Sequence, residues 1–166
     1  EALKDAVCVA PQCYADSWFN IFEQLQSFIK YVSGLTYVDP TRVYLTGASM
    51  GGYATWQMAM SRPELFAAIV PICGGGMYWN TARLVDMGVW AFHGENDPVV
   101  YVEESRKMVD GVNANGGNAK LTVYPNTEHN AWSPTFCDGK VWAWLLQQKA
   151  HYEARFSVYD NVKEFG

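Results

Sequence analysis

The sequence predicts an α/β protein of about five mainly parallel strands flanked by helices, and three observations carry that reading. Short apolar runs ending in Gly, Pro or polar turns alternate along the chain with longer segments whose apolar residues recur at helical spacing. That alternation is the pattern of βαβ units, in which helices cover a parallel sheet. Two of the runs, residues 67–72 and 89–92, are continuously apolar, as strands buried on both faces are. With 166 residues, 49% of them hydrophobic, and no linker-like shift in composition, the chain is expected to form one domain over residues 1–166.

Residues 6–10 (AVCVA) read as a first strand stopped by Pro11, and 18–32 as a helix carrying Phe22, Leu25, Phe28 and Ile29 at helical spacing. A second strand is expected over 42–46 after the Asp39-Pro40 turn, and a helix over 50–60 that ends near Pro63. Residues 47–51 must then turn very tightly between them. The runs 67–72 and 89–92 are expected to be central strands, separated by a loop containing Gly74, Gly75 and Gly76. A helix over 99–113 ends in the glycine-rich turn of residues 113–118, and a last strand spans 120–124. A closing helix runs from 140 to about 156, with Val141, Trp144 and Leu145 facing inward.

Composition excludes several classes of function. The net charge is -5, with Lys and Arg scattered singly, so the basic patch that nucleic acid requires is missing. No apolar run approaches the roughly 20 residues that span a bilayer, and no basic segment followed by an apolar one opens the chain. The expectation is a soluble protein without nucleic-acid or membrane partners; its compartment, cytoplasmic or secreted, stays open. Cys8, Cys13, Cys73 and Cys137 lack C-x-x-C spacing and are expected to be buried free thiols.

Residues 47–51 read Gly-Ala-Ser-Met-Gly and match G-x-S-x-G. The match alone is weak, but it falls between a predicted strand and a predicted helix, where small residues let the chain turn and hold the Ser49 hydroxyl out at the sheet's carboxyl edge. The N–H of Met50 then points toward a developing oxyanion. A serine hydroxyl needs a base to take its proton, and the base needs a carboxylate to fix its tautomer. Of His93, His129 and His151, His129 lies in a polar turn after the last strand and is the best-placed base. His93 ends a predicted strand, where a packed, hydrogen-bonded histidine is the commoner explanation. For the acid, Asp97 follows the 89–92 strand and satisfies the order Ser, Asp, His, with Glu95 as its rival. Asp97 also reads as a helix N-cap before Pro98.

These residues carry a family resemblance over roughly residues 7–149. The supporting stretches are residues 10–13 (APQC), 45–53 (LTGASMGGY), 71–76 (PICGGG) and 91–94 (AFHG), then Tyr124-Pro125 followed by His129 and Trp132. The chain resembles the carboxylesterase group of α/β-hydrolases related to dienelactone hydrolases and polyhydroxybutyrate-type depolymerases. That resemblance implies a serine ester hydrolase acting on a small-molecule ester without metal or organic cofactor, with Ser49, Asp97 and His129 as triad and the Met50 N–H in the oxyanion hole. Members of that group usually begin with further strands, one of which ends in a His-Gly loop supplying a second oxyanion N–H, and no such segment precedes residues 10–13. The expectation is therefore a truncated α/β-hydrolase fold with a vacant place beside the nucleophile's strand. Either residues 6–10 move into it, or the exposed edge recruits a second copy as a homodimer. Losing one oxyanion donor costs on the order of 100 to 1,000-fold in turnover, so slow activity is expected.

Trp18, Tyr78, Trp79 and Trp132 fall on loops expected near the carboxyl edge, which suggests an aromatic or sugar-linked ester such as a hydroxycinnamoyl ester. Trp56, Trp142 and Trp144 look structural, and no phosphate-binding motif is present. The alternative is a non-catalytic binding or scaffold protein that keeps the fold's pocket; a displaced His129 loop would mark it.

Overall fold

The computed structural model describes residues 3–4 and 6–150. Its centre is a sheet of four strands, β1 (Tyr44–Ala48), β2 (Ala68–Ile72), β3 (Gly88–Gly94) and β4 (Lys120–Tyr124), in that spatial order with every neighbouring pair parallel. The helices are α1 (Phe22–Ser33), α2 (Met50–Ser61), α3 (Glu103–Ala114), α4 (Trp132–Cys137) and α5 (Gly139–Gln147), joined through short 3-10 turns. Because all strands run the same way, the loops leaving their carboxyl ends converge on one edge of the sheet.

Strand alternation divides the core into two layers. Ile69 of β2 and Val89 and Ala91 of β3 face a cluster with Leu25 of α1, Trp56 and Met58 of α2, and Met108 and Val112 of α3. Ala68, Val70 and Ile72 of β2 and Phe92 of β3 face the opposite cluster, closed by Val141 and Leu145 of α5. Both faces are thus covered, which is why these strands read as unbroken apolar runs. Helix α2 is buried nearly all round, from Gly52 through Met60, because it is sandwiched over the middle of the sheet. Among the described residues, no helix is long and apolar enough to cross a membrane.

Four of the five expected strands form, and residues 6–10 do not. They lie outside the sheet with Val7 57% and Val9 45% exposed, so they do not occupy the place beside β1. A strand exists only through its ladder of backbone hydrogen bonds, and this stretch pairs with no other strand. The first helix opens as a 3-10 turn, Trp18–Ile21, where the Ser17 hydroxyl accepts from the Phe19 N–H. Helix α5 stops at Gln147, since Gln148 is extended, and the remainder of the expected closing helix, like His151, lies outside the described residues. The thiols also depart from expectation: all four are free, but only Cys73 is buried, while Cys8 and Cys137 are exposed and Cys13 is half-buried. The latter three sit on surface segments away from the two clusters, so their apolar character finds no core to join.

The first turn of α2 docks on the end of β2 at backbone distance. A Cβ on Gly52 would lie 2.4 Å from the Ile72 carbonyl oxygen, whereas one on Gly51 would meet nothing within 4 Å. Gly52→Ala is therefore expected to lower the unfolding free energy by about 2–4 kcal/mol in denaturant titrations. Gly51→Ala, in the same helical turn, should be neutral or stabilising by up to about 1 kcal/mol. Equal effects of the two substitutions would show that this close approach does not constrain the fold.

Candidate active site

Strand β1 delivers the chain to Ser49, whose backbone holds φ 55 and ψ -115 before α2 begins at Met50. A non-glycine residue in such a conformation costs on the order of 1–3 kcal/mol and persists only where its surroundings enforce it. They do so from both sides: the Ser49 N–H donates to the Ile72 carbonyl at 3.0 Å, and the Ser49 carbonyl accepts from the Tyr53 N–H at 3.0 Å. Gly47 permits the turn, because a Cβ there would lie 2.4 Å from the Gly51 carbonyl oxygen. Met50 is the first residue of α2, where helix geometry leaves the N–H without an intrahelical acceptor.

His129 sits in the loop after β4, and that loop folds down onto the end of β3. A Cβ on Gly94 would lie 2.0 Å from the Glu128 carbonyl oxygen, so only glycine lets the loop approach this closely. The Asn96 N–H donates to the Thr127 carbonyl at 2.9 Å, and Glu95 accepts from the N–H of Asn126, which holds φ 53. The rival carboxylate thus braces the turn and does not reach the imidazole. Asp97 uses both of its oxygens: Oδ1 accepts from the Val99 and Val100 N–H groups at 2.9 Å each, and Oδ2 accepts from His129 Nδ1 at 2.7 Å. The expected N-cap before Pro98 is not formed: the bonds to the 99 and 100 N–H groups clamp a loop, and α3 begins at Glu103 with Val102 before it.

His129 Nε2 lies 2.8 Å from Ser49 Oγ, so the structure brings the three residues into one hydrogen-bonded chain from hydroxyl to imidazole to carboxylate. The Asp97 side chain is fully buried and His129 is 21% exposed. Burial works to raise the Asp97 carboxyl, but the His129 ring and the Val100 and Val99 N–H groups outweigh it and hold the carboxyl below its ordinary value. With Nδ1–H donating to Asp97, Nε2 is left to accept from the Ser49 hydroxyl.

His93 is a buried support, as its position at a strand end suggested. Its Nε2–H donates to the Val100 carbonyl at 2.8 Å, and Nδ1 lies 2.7 Å from Ser105 Oγ, which in turn is 3.1 Å from the Gly74 carbonyl. Burial pushes the imidazole below its usual range, so its 3.4 Å approach to Asp97 joins a neutral ring to a carboxylate. Ser105 was not visible as a support from the sequence, because twelve residues and a loop separate it from His93.

The sequence reading also missed Cys73. The register pairs Ala48 with Ile72, so Cys73 emerges from β2 opposite Ser49 with φ 39, fully buried. Burial pushes its thiol up to about 11, opposed by the backbone N–H groups of Ser49 and Ala131 and assisted by the charge of Asp97. Its sulfur, an Asp97 carboxylate oxygen and a His129 ring nitrogen lie within 4.8 Å of one another.

Of the aromatics expected near the site, Trp132 meets His129 edge to face, with ring centroids 5.5 Å apart. Tyr78 and Trp79 are elsewhere: the chain descends along α3, and a Cβ on Gly111, eight residues into that helix, would meet the Tyr78 carbonyl at 2.8 Å. Eight residues of helix carry a chain about 12 Å from the carboxyl edge. Trp18 packs against the core on the α1 face, while Trp56 is buried and Trp144 packs on Trp90, as structural residues do. An apolar groove of about 500 Å³ runs beside α2, lined by Phe19, Phe22, Tyr53, Gln57 and Met77 with Gly75 and Gly76.

Residues 12–159 match the model of the Dienelactone hydrolase family. The chain is similar to poly(3-hydroxyalkanoate) depolymerase C of Paucimonas lemoignei, 50% identical over 97 residues that make up 58% of this chain and 23% of that protein. It is also similar to a probable feruloyl esterase C of Aspergillus niger, 25% identical over 78% of this chain and 50% of the relative. Among solved structures, a thermostable esterase superposes with a TM-score of 0.72 at 40% identity, covering 76% of this chain and 36% of that one. The chain spans half or less of the length of each of these relatives. With a family match over most of its length and a parallel sheet covered by helices, the chain belongs to the dienelactone hydrolase family of the α/β-hydrolase superfamily.

Proposed function

We propose that this chain hydrolyses carboxylic esters through an acyl-enzyme on Ser49. The observation that carries the reading is the continuous relay from Ser49 Oγ through His129 to Asp97, at 2.8 and 2.7 Å, built on a strained strand-to-helix turn. Ser49 Oγ attacks the ester carbonyl carbon while its proton passes to His129 Nε2, and Asp97 stabilises the imidazolium that forms. The negative charge that develops on the carbonyl oxygen is met by the Met50 N–H at the start of α2. The tetrahedral intermediate collapses as His129 returns the proton to the departing alcohol. Water, deprotonated by His129, then attacks the acyl carbon, and Ser49 leaves with the proton. The cycle consumes one ester and one water and needs no cofactor.

The names of the relatives, a polyhydroxyalkanoate depolymerase and a feruloyl esterase, support esters as the substrate class. Trp132, set against His129, supports an acyl or alcohol group with a flat apolar face, within the short-chain and aromatic acyl esters proposed here. The non-catalytic alternative calls for a displaced His129 loop, and the short relay speaks for chemistry instead.

A short-chain aryl ester should release a burst of chromophore stoichiometric with protein, and Ser49→Ala should abolish the burst and lower turnover by at least about 1,000-fold. Turnover that survives Ser49→Ala undiminished would exclude the mechanism. Asp97→Asn leaves the shape of the acid but removes the charge facing the imidazolium, and should lower kcat by roughly 1,000 to 10,000-fold with little change in KM. A comparable rise in KM with kcat intact would assign Asp97 to binding instead. The depressed Asp97 carboxyl also has a thermodynamic signature. Its contribution to stability is complete above the ordinary carboxylate value of 3.8 and is lost as pH falls through the lower folded-state value. Chemical denaturation should accordingly show a steeper loss of stability for the wild type than for Asp97→Asn below pH 3.8 and parallel behaviour above about pH 5.

A further inference from the structure

We propose that Cys73, Asp97 and His129 form a binding site for a thiophilic divalent cation such as Zn²⁺ or Cd²⁺, and that occupancy of this site switches the catalytic relay off. The inhibitory consequence rests on the reading of Ser49 as a nucleophile served by His129; the binding itself does not.

The three groups supply one sulfur, one carboxylate oxygen and one imidazole nitrogen, mutually within 4.8 Å. Zinc bonds of about 2.3 Å to sulfur and 2.0–2.2 Å to nitrogen and oxygen place tetrahedral ligands roughly 3.3–3.6 Å apart, so the 2.7 Å contact of His129 Nδ1 with Asp97 Oδ2 must open where those atoms are the ligands, while separations of up to 4.8 Å must close by roughly 1 Å. The ligand set is chemically suited to borderline-soft metals: a thiolate and a carboxylate neutralise the dication, and a neutral imidazole completes three positions. A fourth position remains for water on the exposed side of His129. Second contacts orient the ligands in advance, as metal sites require. Asp97 Oδ1 is held by the Val99 and Val100 N–H groups, and Cys73 is fixed in a left-handed backbone conformation at the end of β2, opposite Ser49.

On binding, the metal displaces the Cys73 thiol proton to solvent and forms a sulfur bond, while His129 gives up one of the two hydrogen bonds it now shares with Asp97 and Ser49. A ring nitrogen engaged by a cation cannot take the Ser49 proton or be steered by Asp97, so the enzyme stops without any change at Ser49 itself. The metal here is an inhibitor of the relay and takes no part in the reaction.

The direct test is titration of the reduced chain with Cd²⁺, followed through the ultraviolet thiolate-to-cadmium charge-transfer band, with Cys8, Cys13 and Cys137 replaced by Ser to silence the other thiols. We expect one equivalent to bind, Cys73→Ser to remove the band, and His129→Ala to weaken binding by at least about 10-fold. A band that survives Cys73→Ser, or that His129→Ala leaves unchanged, overturns the site. Because His129 is partly exposed, its truncation decides the matter even where Cys73→Ser fails to fold. The second arm follows labelling of Ser49 by a fluorophosphonate, which Zn²⁺ should slow at least about 10-fold and a chelator should restore. Cadmium binding with labelling unaffected by Zn²⁺ would refute the switch. Absence of labelling in metal-free protein would instead count against the esterase reading, leaving the titration to decide the site.

Discussion

Where the first turn of α2 meets the end of β2, two backbones approach so closely that side chains are excluded at Gly52 and Gly74. A Cβ on Gly74 would lie 2.5 Å from the Gly52 carbonyl carbon, so the helix cannot be lifted without breaking the contact between strand and helix. This approach forces the chain leaving β1 to reverse within a single residue, and Ser49 absorbs the reversal at φ 55. The backbone bond from Ser49 to Ile72 then ties the strained residue to the neighbouring strand. Position of Ser49, the proposed nucleophile, is in this way a property of the sheet and its central helix rather than of a loop, which is what a reacting atom held to fractions of an ångström needs.

The other half of the site depends on the same kind of close approach. Gly94 lets the loop after β4 lie on the end of β3, and Asp97 links the two loops by spending one oxygen on its own turn and the other on His129. Beneath them, His93, Ser105 and the Gly74 carbonyl form a second, fully buried polar chain that joins β3, α3 and the loop after β2. A buried polar group is costly unless paired, and a network in which each member is satisfied holds its geometry tightly. Cys73 sits between the two chains, against the backbone of Ser49 and Ala131 and within reach of both Asp97 and His129, so its sulfur is the natural place for a foreign ligand to interfere.

Much of this was legible along the chain because it rests on local patterns. The continuous apolar runs of β2 and β3, the Gly-Ala-Ser-Met-Gly turn between strand and helix, and the order Ser49, Asp97, His129 are all statements about neighbours or sequence direction. Chain order favoured Asp97 but left Glu95 as its rival, since both lie between Ser49 and His129, and the hydrogen bonds of the folded chain separate them. Residues 6–10 misled because alternating small apolar residues satisfy the strand pattern without saying whether a partner strand is present, and pairing is a long-range property. Tyr78 and Trp79 misled for a related reason: a loop that follows a strand starts at the carboxyl edge but need not stay there, and this one descends along α3.

The sequence by itself determined the class of fold, the turn that presents Ser49, and a short set of candidates to serve it, because strand and helix periodicity and the conformational demands of glycine act over a few positions. Only the tertiary structure decided which distant groups meet. The register of β1 on β2 sets Cys73 opposite Ser49, the fit of Gly94 under the His129 loop lets that loop close on β3, and the hydrogen bonds to Asp97 from His129 and the Val100 and Val99 N–H groups hold its carboxyl low against the effect of burial. Those outcomes depend on packing between segments dozens of residues apart, where exclusion of atoms in three dimensions, and not spacing along the chain, chooses the neighbours.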